Sequence, residues 1–204
     1  MTAARTSWRG WVLSAAVAIA CACGSDLPAR YVIERDVGSF RYRRYQKTLG
    51  VEFVVPDNPA QGHTATYLLR SGARVSVATA FVTVYTRAPA LAAEVRERLQ
   101  ALSRYRLTVQ ELGGDHAWVL DGGPDERWAV WVSGRYVIKL GAPVGERFPE
   151  GLVDEYMAAY PSDLDEHGRA LPDARSRGRS ISEREQAEQD ERGLPRHLRE
   201  NAPR

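Results

Sequence analysis

Cysteine is almost absent from this sequence of 204 residues: the chain has two, Cys21 and Cys23, and none after position 23. A body without cysteine can form no structural disulfide, no cysteine-based zinc site and no thiol nucleophile. The folded part of the chain must therefore be stabilised by its apolar core.

An excess of charge of either sign is also missing, because 28 Lys and Arg face 26 Asp and Glu. A nucleic-acid-binding protein normally shows a basic stripe or a strongly basic domain. The surplus of two matches Arg5 and Arg9 near the N-terminus, so the rest of the chain is formally neutral. We therefore predict no nucleic-acid partner.

The uncharged apolar run of residues 11–22 is short. A helix needs roughly 20 apolar residues to span the hydrocarbon core of a bilayer. With Arg5 and Arg9 ahead of it, the run has the form of an export signal rather than of a permanent transmembrane anchor.

Small residues lead into both cysteines, and polar residues follow: the segment reads Ala18-Ile19-Ala20-Cys21-Ala22-Cys23-Gly24-Ser25. Over about its first 25 residues the chain resembles a bacterial lipoprotein precursor, whose signal ends at the cysteine that receives a diacylglyceryl group. That family most often has Leu three residues before the cysteine. In this sequence that position is Ala for both candidates, Ala18 before Cys21 and Ala20 before Cys23, so the choice between the two cysteines stays open. The alternative is a secretory signal cut after Ala-x-Ala.

The resemblance implies a cleaved signal peptide at residues 1–22, a tether at residues 23–30 and a membrane anchor through lipid on Cys21 or Cys23. Neither Ala22 nor Gly24, the residue after each cysteine, is a strong inner-membrane retention cue. We therefore expect an exported protein at the outer membrane or on the periplasmic face of the cell envelope. Two or more acyl chains would make the anchor stable.

The body and the tail differ sharply in composition. Residues 31–164 hold nearly all the remaining aromatic and β-branched side chains, which predicts one globular domain. Residues 165–204 have no aromatic residue and dense charge of both signs. Such a segment buries too little apolar surface to offset its chain entropy, so we predict a disordered tail.

Short strand patterns and two helical patterns alternate along the body. Strands are predicted at 31–34, 40–46, 51–55, 64–70, 74–85, 105–112, 116–120, 128–132 and 135–140. Helices are predicted after Pro89 and at 149–160. This order predicts an α+β fold, with an antiparallel sheet of about six to nine strands packed on one face by two helices. The order is loosely similar to that of exported PsbP-type and other small lipoprotein domains, although no motif carries the likeness.

Two groups of side chains are candidates for binding. The segment from Phe40 to Lys47 interleaves Arg41, Arg43 and Arg44 with aromatic residues, and regular alternation would place Arg41, Arg43 and Tyr45 on one face. Its expected ligand is an anionic lipid headgroup or a lipopolysaccharide phosphate, although a strand at the rim of the sheet explains the pattern without any ligand.

Trp128 and Trp131 form the second group. Alternation points them to opposite faces of a strand, so one of them is expected to be exposed and able to contact a partner.

The sequence offers little for catalysis. His63 is expected in a loop, and His116 on a strand beside Asp115, where neighbouring side chains point to opposite faces. No metal-binding spacing of histidines occurs, and the loop at residues 121–126 has ordinary turn chemistry. We predict no metal and no cofactor.

The function expected is therefore a non-enzymatic, lipid-anchored role in the cell envelope, with another envelope protein as a further possible partner. The alternatives are an envelope hydrolase or accessory factor that uses His63 or His116, and a small-ligand carrier.

Overall fold

The computed structural model describes residues 27–48, 50–71, 74–123, 126–141 and 150–172. The signal peptide predicted at 1–22, both cysteines and the part of the tail after residue 172 lie outside these ranges. The elements are β1 (Phe40–Thr48), β2 (Ala60–Ser71), β3 (Arg74–Tyr85), α1 (Leu91–Gln100), β4 (Arg106–Leu112), β5 (Asp115–Asp121), β6 (Arg127–Ser133), β7 (Tyr136–Gly141) and α2 (Glu150–Ala159).

The seven strands form one antiparallel sheet in the order β1-β2-β3-β7-β6-β5-β4. Two meanders build it, because β1 to β3 and β4 to β7 each pair with their neighbours in sequence. Helix α1 connects β3 to the far edge of the sheet, and the second meander returns until β7 pairs with β3. The predicted α+β fold is confirmed, with seven strands and two helices. Strand β3 is an interior strand, and β7 lies at the centre of the sheet.

Both faces of the sheet are covered at its centre, so the prediction that helices cover one face is wrong. All six residues of β7 are buried, although their side chains alternate between the two faces. On one face, the indole Nε1–H of Trp131 donates to the carbonyl of Tyr160, just after α2, at 2.8 Å. On the other face, Gly168 lies against the ring of Trp118. Residues of α1 line a shallow cavity together with Gly168, which places that helix on the second face.

Two segments predicted as strands are connections that cover the sheet. Residues 31–34 are irregular, with a bend at residues 31 and 32, and Tyr31 has a φ of 63°. Residues 51–55 are also irregular, and the carbonyl of Phe53 accepts a hydrogen bond from the hydroxyl of Tyr85 at 2.5 Å. Val32, Ile33 and Phe53 are buried in the core, and a short run of apolar residues has the same composition whether it forms a strand or a buried connection.

The fold extends beyond the predicted limits of the domain at both ends. Leu27 packs against the core, within the predicted tether. After α2, Leu164, the last residue of the predicted domain, forms an antiparallel bridge with Ala170 in the predicted tail. Each of the two helices has ten residues, and no helix in the described part of the chain is long and apolar enough to cross a membrane.

Buried tyrosine hydroxyls join three layers of the fold. The hydroxyl of Tyr67 on β2 donates to the carbonyl of Ile33 at 2.5 Å and accepts from the hydroxyl of Tyr156 on α2 at 2.8 Å. The hydroxyl of Tyr156 in turn accepts from the backbone N–H of Ile33 at 3.2 Å. Burial raises the pKa of Tyr156 to about 12 and raises that of Tyr67 as well. Both rings are therefore neutral at ordinary pH and hold the N-terminal segment onto the sheet.

Replacing Tyr67 by Phe should lower the free energy of unfolding by about 1–3 kcal/mol, because the buried carbonyl of Ile33 loses its donor. Urea denaturation measures the change. Tyr42→Phe is the matched control, since the ring of Tyr42 is half-exposed and contacts that of Tyr67. Equal losses from both substitutions would contradict the role given to the Tyr67 hydroxyl.

Candidate functional site: the open face of the sheet

One surface of the first meander carries exposed apolar and basic side chains together. Arg41 pairs with Leu68, and Leu68 with Val77, so these three side chains form a row on one face. Val75 and Val77 are 57% and 52% exposed, which is unusual for valines of an interior strand. We call this surface the open face; its residues are Arg41, Arg44, Thr66, Leu68, Val75, Val77 and Thr79. It lies on the opposite side of the sheet from the buried Tyr67.

A β-bulge in β1 decides which side chains reach the open face. The pairing of β1 with β2 shifts between Tyr42 and Arg44, which leaves Arg43 as the extra residue. Arg44 consequently shares the face of Arg41, and Tyr45 shares the covered face of Tyr42. The prediction from regular alternation, with Arg41, Arg43 and Tyr45 on one face, is wrong for Tyr45 because a bulge reverses the alternation beyond it.

The arginines of β1 are available to a ligand. Arg41, Arg43 and Arg44 are all exposed. None of the ion pairs within the described residues involves them, whereas Arg35 pairs with Glu155 at 2.5 Å. The open face therefore carries positive charge that no ion pair among the described residues compensates.

Trp128 lies on the same side of the sheet, in the row that begins at Arg44. That row continues from Thr79 on β3 to Gly141 on β7, and Gly141 pairs with Trp128 on β6. Four strand spacings of about 4.8 Å separate β1 from β6, or roughly 19 Å. The structure thus brings Arg41 and Trp128, two of the predicted binding residues, to one side of the sheet.

A buried lysine holds Trp128 in place. The ammonium of Lys139 lies 4.1 Å from the centroid of the Trp128 ring and bonds both carboxylate oxygens of Glu52, at 2.6 and 2.7 Å. Lys139 is only 9% exposed, so its positive charge is compensated by Glu52 and the ring rather than by water. Lys139, Glu52 and Trp128 lie where the covered part of this face ends, and Trp128 is half-buried there.

Trp131 is a core residue, and its prediction as a binding residue is wrong. It has no exposed surface, and it lies on the opposite face from Trp128. The expectation that alternation separates the two rings is confirmed. Trp131 faces the α2 side and is buried, whereas Trp128 is half-buried.

His63 is also placed differently from its prediction. It lies within β2 rather than in a loop, and it is 4% exposed. Its Nδ1 is hydrogen-bonded to the hydroxyl of Tyr45 at 2.9 Å, and the ring of Tyr31 lies 4.7 Å away. Burial, followed by the charge of Lys47, lowers the pKa of His63. A neutral imidazole held by a tyrosine is a structural group.

The second histidine candidate has no catalytic arrangement either. Asp115 accepts a hydrogen bond from the backbone N–H of Ser162 at 3.2 Å, and the hydroxyl of Ser162 donates to the backbone carbonyl of His116 at 2.6 Å. The three residue types of a serine hydrolase therefore meet, but the serine bonds the backbone of the histidine rather than its ring. These contacts fix the segment that follows α2.

The described residues of the acidic loop after β5 make ordinary turn contacts. A carboxylate oxygen of Asp121 accepts from the backbone N–H of Gly123 at 3.2 Å, and Arg106 bonds the other oxygen at 3.0 Å. These contacts lower the pKa of Asp121. Within the described ranges, no group of three or more His, Cys, Asp or Glu residues is placed to hold a metal ion.

Two cavities are open to solvent and small. One, of about 290 Å³, lies between α1 and the segment around Gly168; the other, of about 200 Å³, lies between Glu52, Phe81 and Lys139. Pockets for small molecules usually measure about 300–1,000 Å³. Neither cavity supports the small-ligand carrier alternative.

A scan against protein-family models, a search of curated proteins and a search of solved structures each found no match to this chain. Its function is therefore inferred from the open face.

Sequence reasoning missed Arg44, Val75 and Val77 as members of this surface. Two adjacent arginines in a strand are only a weak signal for a bulge. Nothing in the local sequence shows that the alternation of side chains between the two faces is interrupted at Arg43. The residues of β3 gave no signal, because apolar side chains occupy both of its faces and only the coverage by other segments distinguishes them.

Replacing Gly141 by Ala should lower the free energy of unfolding by about 1–3 kcal/mol, because the added methyl group would overlap the ring of Trp128. Thermal or urea unfolding measures the loss. Gly151→Ala is the control, since a Cβ there meets nothing within 4 Å and a helix favours Ala over Gly. A Gly141→Ala protein as stable as the wild type would refute the packing of Trp128 on β7.

The stability of the domain should fall as the pH drops from about 6.5 to about 5. The unfolded chain takes up a proton at His63 near its ordinary pKa of about 6.5, whereas the folded protein resists it, so protonation favours unfolding. Urea denaturation across this range measures the slope. In His63→Gln the slope should be smaller; an unchanged slope would show that His63 does not cause it.

Proposed function

We propose that the protein is exported, anchored by lipid at its N-terminus, and active in the cell envelope as a non-enzymatic binding protein. The observation that carries this proposal is the open face, where exposed arginines without an ion pair to any described residue lie beside exposed valines. Exposed apolar side chains next to uncompensated charge are typical of a contact surface rather than of a solvated one. The neutral, buried His63 and the backbone-bonded His116 give the hydrolase alternative no support.

The entry of the chain into the domain supports the anchor. Leu27 packs against the core, and the guanidinium of Arg30 lies 4.4 Å from the centroid of the Tyr45 ring on β1. The chain therefore joins the domain beside the edge strand that carries the arginines. An extended chain spans at most about 3.6 Å per residue, so Leu27 would lie within roughly 14 Å of a lipidated Cys23 and roughly 22 Å of a lipidated Cys21.

Such a short tether has a functional consequence. A lipid on either cysteine would hold the domain almost against the bilayer, with β1 close to the membrane surface. The contact surface would then meet components of that membrane before it meets anything else.

Mass spectrometry of the intact protein extracted from membranes tests the anchor. We expect an acylated mass in which the chain begins at Cys21 or Cys23, and loss of acylation and of processing when that one cysteine is replaced by Ser. Replacement of the other cysteine is the matched control and should leave the acyl groups in place.

A mature chain without acyl groups, cut after Ala20 or Ala22, would contradict the anchor and favour the secretory alternative. Acylation that survives both single replacements would place the lipid elsewhere and would also contradict the assignment.

A further inference from the structure

We propose that the open face docks on an anionic phospholipid surface, namely the membrane in which the protein is anchored. The inference rests on the proposed anchor for the orientation of the domain. The chemistry of the surface itself comes from the described residues alone.

Charge complementarity is the first argument. Strands β1, β2 and β3 contain no Asp or Glu at any position. They carry six Lys and Arg residues: Arg41, Arg43, Arg44, Lys47, Arg70 and Arg74. Arg41 and Arg44 lie on the open face, whereas Lys47 pairs with His63 on the covered one. A face with these arginines, on strands without any acidic residue, fits a surface that carries negative charge.

The chemistry of arginine favours phosphate as the binding group. A guanidinium donates two parallel hydrogen bonds to a phosphate and is less strongly hydrated than an ammonium. Both cations that the pairing register assigns to the open face, Arg41 and Arg44, are exposed arginines. The pairing register places Arg70 opposite Val75 and Arg74 opposite Ser71, at the hairpin end of the strands. Arg41 lies near the same end, since its partner is Leu68.

The exposed valines are the second argument. Val75 and Val77 lie on alternate positions of β3, so both point to the open face. Apolar side chains beside cationic ones are the pattern of segments that lie in the interface of a bilayer, where the apolar groups enter the acyl boundary and the cations bind headgroups. The face is part of a sheet rather than a groove, which suits an extended lipid surface better than a peptide.

Position in the chain is the third argument. Arg30 contacts Tyr45 on β1, so the residues that lead to the proposed anchor enter beside the basic edge of the sheet. Arg30 approaches β1 on the covered face, where Tyr45 lies, and a lipid at the N-terminus would bring this edge strand close to the bilayer.

The test uses the acylated full-length mature protein in a background that keeps only the acylated cysteine. Val77→Cys is labelled with an environment-sensitive fluorophore, and the protein is reconstituted in vesicles of phosphatidylcholine with or without phosphatidylglycerol. We expect the emission to shift to the blue only in the anionic vesicles. High salt should reverse the shift, because it screens the contact.

Charge variants show whether the arginines cause the contact. One Lys or Arg near an anionic surface contributes about fivefold to binding, so Arg41→Gln with Arg44→Gln should reduce the docked population ratio roughly 25-fold. Arg96→Gln with Arg98→Gln on α1 is the matched control, because it removes the same charge elsewhere and should leave the shift unchanged. Circular dichroism checks that both variants fold.

Two results would overturn the docking. The first is an emission wavelength that is the same with and without phosphatidylglycerol, or a blue shift that both pairs of arginine substitutions reduce equally. The second is a photo-cross-linker at Val75 that joins a protein in cells instead of lipid, since the open face would then be a protein interface.

The intact mass of the protein distinguishes a failure of the proposed anchor from a failure of the proposed docking. If the protein carries no acyl group, the same labelled protein is added to the vesicles from solution. Binding to anionic vesicles alone would still support the docking, whereas an unchanged emission would refute it.

Discussion

A seven-stranded sheet has two faces to cover, and the described part of the chain has two helices of ten residues with which to cover them. Each helix is about 15 Å long, whereas seven strands span about 29 Å. The remaining cover must come from connecting segments. Residues 31–37, 50–58 and 160–170 provide it, and their buried apolar side chains explain why two of them read as strands in sequence. None of the described segments covers the outer part of β1 to β3 on one face, and the proposed contact surface depends on that exposure.

Net charge is a poor guide to such a surface. The chain is close to neutral, and that balance argues against a polyanion as a partner of the whole molecule. Yet the Debye length is about 8 Å at physiological salt, so a partner responds to the charges it contacts rather than to the sum. In the first meander the acidic residues are missing from all three strands, which concentrates positive charge at one edge of the sheet. Neutrality of the chain and a basic contact surface are therefore compatible.

Much of the fold could be predicted because local patterns determined it. The stripe of Leu91, Val95 and Leu99 identified α1, and the break between two apolar β-branched runs identified the hairpin of β2 and β3. The surface could not be predicted in the same way. Its composition depends on one extra residue, Arg43, and on where distant segments happen to cover the sheet. His63 shows the same limit, because only the tertiary contacts with Tyr31 and Tyr45 bury it.

The central claim is that the bulge places Arg41 and Arg44 together on an open face, with Tyr42 and Tyr45 on the covered one. Single cysteines at positions 41 to 45, in a protein without other free thiols, test this directly through their rate of reaction with a bulky maleimide. The account predicts fast labelling at 41, 43 and 44 and slow labelling at 42 and 45. Regular alternation, with 41, 43 and 45 fast and 42 and 44 slow, would contradict it.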